Sequence, residues 1–521
     1  MSAPLLPPIE RRETAFERAR NGIRTNPARL AVAKWLAPLL LTVFAGVLRL
    51  VNLGHPATLA FDETYYVKDA WSLWTLGYEG AWGDGANELF AQGDTSALSE
   101  AGSFVVHPPL GKWIIALGMG LLGPESSVGW RLTTALLGTA TVLVIYLLTV
   151  TLTRSRTLAT LAGLFVAVDG LSIVMSRVGL LDSTLTFFIL LGFWFVLLDR
   201  QRTISLLENP ATHGISDASP VQMWGRVLWR RPWVVAAGVA LGAASAVKWS
   251  GLYALAALGL YLVVTDALAR RRAGVVLWPT DAALRQGPVS FLLLVPPAFL
   301  VYLVSWTGWF VTTGGYDRAS SSNPFAALWK YHEAILGFHS GLATGHAYAS
   351  PAWQWPLLLR PTAVWVGGQD ATCLGSDNCI AVISTVPNPV LWYAGVAAAV
   401  YLLYRFARGL IDGASRPSAY AVPLVGLAAT YIPWLMIPQR TIFQFYTVAM
   451  MPFLVLALVF VLREIAGAQH ANLARRQAGQ RTVAVLVGVV LAVSVFYYPV
   501  WIGMTVPYDF WLVHNWLPGW V

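Results

Sequence analysis

Two adjacent carboxylates, Asp62 and Glu63, stand about ten residues beyond the first long apolar run, in the stretch AFDETYYVKDAW. Neighbouring side chains on a helix point roughly 100° apart, so the two need not serve one atom. One of them can take a proton from a hydroxyl while the other orients a partner or binds a cation. A base shielded by lipid and aromatic rings has its pKa raised. The plain alternative is a solvated loop capped by two acids.

Other groups could work with them. Arg131, in VGWRLTTALLG, opens the second apolar run. Its guanidinium fits a phosphate or a carboxylate bidentately, or else snorkels to the interface. Asp169, Arg177 and Asp182 bracket a turn between two apolar runs; they form a local salt-bridge network or line a cavity. Lys248, in SAVKWSGLY, is a structural charge or attracts an anion. Arg440, in a tight turn, can hold an anionic head group close to the bilayer. The stretch 330–361 offers His332, Glu333, His339, His346, Tyr348, Trp353, Trp355 and Arg360. His332 and His339 would share a helix face, but not at the i,i+4 spacing of a helical zinc motif. A zinc site needs three or four converging ligands, and nothing here forces that. So many ring NH and OH groups over an aromatic floor suit a sugar or a peptide, or an aromatic-packed interfacial loop. Cys373 and Cys379 are close enough in sequence to bond, as a loop staple.

The elements that must position these residues are membrane helices. Of 521 residues 56% are hydrophobic and only 12% charged, and the mean hydropathy is +0.59. A soluble domain carries about twice that charged fraction, so the chain reads as an all-α polytopic membrane protein. Eleven apolar runs are expected to span: about 36–52, 129–150, 157–176, 179–198, 233–248, 250–266, 288–310, 386–404, 419–438, 441–462 and 482–501. The opening 35 residues are polar and basic, and the run behind them is long enough to span and stay. With that tail in the cytoplasm, cytoplasmic segments hold 25 of the 35 Lys/Arg, as the positive-inside rule requires. The predicted organisation is a basic tail (1–35), a membrane module (36–310) with an external loop at 53–128, a second external loop (311–385), a membrane module (386–501) and an external tail (502–521). The stretch HPPLGKWIIALGMGLLG, 107–123, is short and glycine-rich, and reads as an interfacial or dipping helix.

The net charge of +9 does not imply nucleic-acid binding, because the basic residues fall in short loops between apolar runs. No G-x-x-x-x-G-K-[ST] appears, and no Rossmann fingerprint does: the one G-x-G-x-x-G string, Gly118 to Gly123, closes an apolar stretch instead of opening a helix behind a strand. An activated substrate used on the outer face therefore arrives through the membrane, and a lipid-linked donor with a phosphate leaving group would account for the arginines. A transporter is the rival class, but most charges lie at helix ends and no internal repeat is evident.

FDETYYVKDAW at 61–71, HPPLGKW at 107–113, WRLTTALLGT at 130–139, DGLSIVMSRVGLLDS at 169–183, AVKWSGLY at 246–253 and HAYASPAWQWPLLLRP at 346–361 occur in this order. Together they resemble the bacterial, actinobacterial-type protein O-mannosyltransferases, membrane glycosyltransferases of the C fold. The resemblance implies transfer of mannose from polyprenyl-phosphate-mannose to Ser/Thr of exported polypeptides, at the plasma membrane and near the translocon. Another lipid-linked sugar transferase is the alternative. Asp62 matches the family's proposed base, with Glu63 beside it, and Arg131 matches an important arginine. Arg131, Arg440 and Lys248 are expected at the donor phosphate. His332, His346, Tyr348, Trp353 and Trp355 are expected at the acceptor or sugar. A divalent cation near the acids is an option that the sequence leaves open.

Overall fold

A computed structural model describes residues 13–208, 222–369, 372–373, 375–411, 418–468 and 470–520. Parts of the basic tail (1–12), of the loop expected at 200–231 (209–221) and of the loop at 405–416 (412–417) lie outside the described residues, as do residues 370, 371, 374, 469 and 521.

Among the described residues, seven helices are long and apolar enough to cross a membrane. They are Pro27–Leu50, Ser127–Thr153, Leu181–Leu207, Gly251–Arg272, Trp278–Ser305, Pro389–Gly409 and Leu473–Trp501. An eighth crossing is a pair, Arg156–Val168 and Gly170–Arg177, bent by 58°. Asp169 is the cause of the bend. Its extended backbone ends the first helix, and its carboxylate accepts the Ser172 N–H at 2.9 Å to cap the second.

The expected count of eleven is not reached by length and apolarity. The other three runs fold as shorter helices: Pro232–Val247, Ala421–Leu435, and Met451–Ile465 entered through the 3-10 turn Gln444–Ala449. Sixteen residues of helix rise about 24 Å, less than a hydrocarbon core of about 30 Å. Pro232–Val247 compensates by close packing. It lies between Leu181–Glu208 and Gly287–Ser305, and its Gly238 and Gly242 face the carbonyls of Leu294 and Ala298 with no room for a Cβ. That is the small-xxx-small device of membrane helix pairs.

Two polar layers mark the ends of this bundle. Near one end, Arg231 binds Asp199 at 2.5 Å and Asp266 at 2.7 Å, while Arg200 binds Asp266 at 2.8 Å. Arg270 binds Asp281 at 2.6 Å and Gln286 at 2.9 Å. At the other end, Lys248 binds Asp182 at 2.9 Å. Asp182 and Asp199 lie seventeen residues apart on one helix, about 26 Å.

The long loops hold structure that the sequence reading did not anticipate. In the first, strand β1 (Gly80–Trp82) pairs antiparallel with β2 (Leu98–Gly102). In the second, β3 (Ala363–Gly367) pairs with β4 (Cys379–Ser384), and β4 with β5 (Val506–Pro507) from beyond the last long helix. Cys373 and Cys379 are joined by a disulfide at the start of β4. His55 Nε2 meets the Gly503 carbonyl at 2.7 Å, and Trp365 donates to the Thr58 hydroxyl at 3.1 Å. Both loops and the segment after Trp501 are thereby tied together. The HPPLGKW stretch forms a helix, Leu110–Leu122, whose thirteen residues are too few to cross.

Candidate active site

Asp62 and Glu63 start the helix Glu63–Leu76 and part at once. Phe61 is left-handed, with φ 49°, a conformation that a bulky residue adopts only when its surroundings enforce it. Its ring is clasped edge-on by His346 at 5.9 Å, Phe443 at 5.5 Å and Phe445 at 5.6 Å. The Asp62 carbonyl takes the Tyr65 and Tyr66 N–H groups at 3.0 Å, but the Asp62 side chain caps nothing.

Glu63 turns inward and is fully buried. It takes Arg131 bidentately, Nε to Oε1 and Nη2 to Oε2, each at 2.7 Å. It also accepts the Gly179 N–H at 2.6 Å and the Ala60 N–H at 2.8 Å. The remaining donors of Arg131 go to the carbonyls of Pro56 at 2.7 Å, Thr58 at 3.1 Å and Leu53 at 3.4 Å. All five donors of this guanidinium are thus engaged inside the protein. The expectation that Arg131 holds a phosphate meets a side chain with no donor to offer and no exposure. Glu63 likewise touches no open space, so the adjacent acids have separate tasks.

Asp62 keeps its carboxylate out of any ion pair. It is hydrogen-bonded by Tyr66, one helical turn on, and lies within electrostatic reach of Lys248 and Asp182. Burial dominates and raises its pKa to about 6, opposed by Lys248 and assisted by Asp182. Lys248 itself is committed to Asp182, at 2.9 and 3.0 Å, and sits 4.5 Å from the Tyr446 ring. Arg440 donates to His339 Nδ1 at 2.9 Å, while its buried Nε has no partner. His339 Nε2 in turn meets the Val106 carbonyl at 2.9 Å, which fixes it as the Nε2–H tautomer. Burial and Arg440 lower the His339 pKa to about 4, so this ring is neutral. His107 stacks 5.4 Å from His339 and 5.9 Å from Tyr66, and its buried Nδ1 has no partner.

The other residues singled out by sequence scatter. Asp169, Arg177 and Asp182 do not form one network. Asp169 caps a helix and accepts the Asn388 N–H at 3.0 Å. Arg177 binds the carbonyls of Arg49, Val51 and Asn52, ending the first long helix. Asp182 alone joins the site, through Lys248. His332 accepts the Tyr302 hydroxyl at 2.7 Å and stacks on Trp249 at 5.8 Å. His346 is exposed beside Phe61, Tyr348 packs under Arg360, and Trp353 is exposed. Trp355 is fully buried, with its indole N–H on the Ser350 carbonyl at 2.9 Å, so packing uses it up. Sequence reasoning passed over Tyr66, His107 and Tyr446 as site residues. For Tyr66 the signal was its i,i+4 spacing from Asp62, and for His107 it was a histidine directly before two prolines. Among the described residues, no group of three or more His, Cys, Asp or Glu side chains could hold a metal ion.

Residues 324–520 match a family model described as the C-terminal four TMM region of protein-O-mannosyltransferase. Residues 123–210 match that of dolichyl-phosphate-mannose-protein mannosyltransferase. The chain is 32% identical over 508 residues to the polyprenol-phosphate-mannose–protein mannosyltransferase of Mycolicibacterium smegmatis, covering 93% of each chain. It is 30% identical over 507 residues to the protein of the same name from Corynebacterium glutamicum, covering 92% of each. Its structure is similar to the S. cerevisiae protein O-mannosyltransferase Pmt1–Pmt2 complex bound to the sugar donor. The TM-score is 0.72 over 93% of this chain and 92% of that one, at 14% identity, a likeness of fold.

Proposed function

The chain belongs to the protein O-mannosyltransferase family, and from that membership we infer that it transfers mannose from polyprenyl-phosphate-mannose to Ser/Thr hydroxyls of exported proteins. It is a multi-pass membrane enzyme with the C-type glycosyltransferase fold.

The observation that carries the mechanism is the standing of Asp62. It is a carboxylate without an ion pair, raised to about 6, opposite a cationic side made by Lys248 and Arg440. A pKa near 6 leaves Asp62 ionised at neutral pH yet a better proton acceptor than an ordinary carboxylate. Asp62 removes the proton from the acceptor hydroxyl as its oxygen attacks the anomeric carbon. The new C–O bond forms as the bond to the phosphate oxygen breaks. The electron pair leaves with the lipid phosphate, and the configuration inverts. Arg440, with an unpartnered Nε, offsets the charge on the departing phosphate, and Lys248 adds to the field from its place on Asp182. Glu63 and Arg131 are positioning residues, which lock the loop that presents Asp62. His346 beside Phe61, Tyr348 next to it and the exposed Trp353 are assigned to the acceptor polypeptide, and His332 supports Trp249.

The N-terminus is placed in the cytoplasm and the site outside, as the charge bias supports. Eleven crossings remain the preferred count. Pro232–Val247 runs from Arg231 in one polar layer to Lys248 in the other, so it traverses the bundle despite its sixteen residues. The test is transfer in vitro from radiolabelled polyprenyl-phosphate-mannose to a Ser/Thr-rich exported peptide. Label appears on the peptide with the wild type. Unchanged transfer by purified Asp62→Asn would remove the base assignment.

A further inference from the structure

His107 is a half-buried, polar, neutral group placed between the two halves of the proposed chemistry. On one side its ring lies 5.9 Å from Tyr66, whose hydroxyl is bonded to Asp62. On the other it lies 5.4 Å from His339, whose Nδ1 takes Arg440. Its Nδ1 is buried and bonded to nothing among the described residues, which is a costly state for a polar atom and one that a native structure keeps for a reason. Its backbone is pinned. Lys112 Nζ donates to the His107 carbonyl at 3.1 Å, and Lys112 is itself held by Glu79 at 2.5 Å, with both side chains buried. Two prolines follow directly. Burial, with Lys248, His339, Lys112 and Arg440 nearby, keeps the imidazole uncharged.

In an in-line transfer the sugar ring must lie between the attacking hydroxyl and the leaving phosphate. It therefore lies between Asp62 and Arg440, where His107 is. A neutral imidazole has one donor and one acceptor, which suits a sugar hydroxyl and not a phosphate. We propose that His107 Nδ1 hydrogen-bonds a hydroxyl of the transferred hexosyl ring and selects the glycosylated lipid over the bare lipid phosphate. This rests on the transferase reading above. It adds a recognition residue for the sugar itself.

The test compares binding of polyprenyl-phosphate-mannose with binding of polyprenyl phosphate to the purified full chain in detergent. The wild type is expected to prefer the mannosyl lipid. His107→Ala is expected to lose about five- to tenfold of that preference, the size of one neutral hydrogen bond, while bare-lipid affinity stays and shows that the protein is folded. His107→Asn, which restores a polar atom near the Nδ1 position, is expected to recover part of it. With donors each lacking one ring hydroxyl, the Ala penalty should vanish for one of them only. A wild type without preference, an Ala variant that keeps the wild-type preference, or a penalty equal for every donor overturns the proposal. Peptide mannosylation by the wild type is measured separately. If sugar preference depends on His107 but no peptide is labelled, the transferase reading falls and the role of His107 stands.

Discussion

The bundle carries two buried charged clusters built from the same residue types, and they differ in how completely they are satisfied. In the cluster around Arg231, six charged side chains and two amide or hydroxyl groups bond to one another at hydrogen-bond distance, and Arg270 Nη1 is a lone atom left over. In the cluster around Asp62, the carboxylate has no ion pair among the described residues, Arg440 Nε has no partner there, and neither does His107 Nδ1. A buried network with nearly every valence filled specifies how helices pack. A network with several valences open on one side suits a ligand, as proposed for Asp62. The Glu63–Arg131 pair lies one residue from Asp62, yet it is of the first kind.

Substitutions can break or sharpen that contrast. Asp62→Asn keeps shape and removes the base, so kcat should fall by about 10² to 10⁴, with thermal denaturation of the purified protein unchanged. A parallel loss of Tm would move Asp62 into the structural class. Arg231→Ala leaves Asp199 without its cationic partner and Asp266 with Arg200 alone, and should cost about 3–5 kcal/mol of stability. Denaturation in detergent should show this, while the turnover of the protein that remains folded stays near wild type. Arg131→Lys cannot reproduce five directed donors. It should lower stability by about 1.5–3 kcal/mol and reduce kcat with it, leaving donor KM in place; a selective rise in donor KM would return Arg131 to the phosphate. Arg440→Gln should raise donor KM about tenfold with little change in Tm, for the loss of one charge-assisted bond. The smallest effect is in pH. Asp62 must be ionised to accept a proton, so transfer should be half-maximal near pH 6, fall about tenfold per unit below that, and be flat above. A profile flat down to pH 4.5 would point to an ordinary, solvated carboxylate.

Much of this was legible in residues alone, where the cause was local. Apolar runs announced the helices, and the Asp62–Glu63 pair pointed to the candidate site. Tyr66 could have been added from its helical spacing. What escaped was long-range. Nothing in the sequence says that Arg131 closes on Glu63, 68 positions earlier, so a guanidinium suited to phosphate was assigned one. Arg177 faced the same ambiguity and serves carbonyls rather than Asp169 or Asp182. The run at 233–248 was visibly short, but composition cannot show how closely Gly238 and Gly242 let Leu294 and Ala298 approach. Strand β5 was missed because it joins β4 across more than a hundred residues.

The bond between His55 and the Gly503 carbonyl sets a schedule for the molecule's own making. The two partners are separated by 448 positions, which at ribosomal speed is roughly 20 to 90 seconds of synthesis. Through that interval His55 lacks its partner, and β4, once made, waits for β5 over its last part. The face that carries the candidate site is therefore assembled late, after the helix Leu473–Trp501 has been made and the segment behind it has folded back.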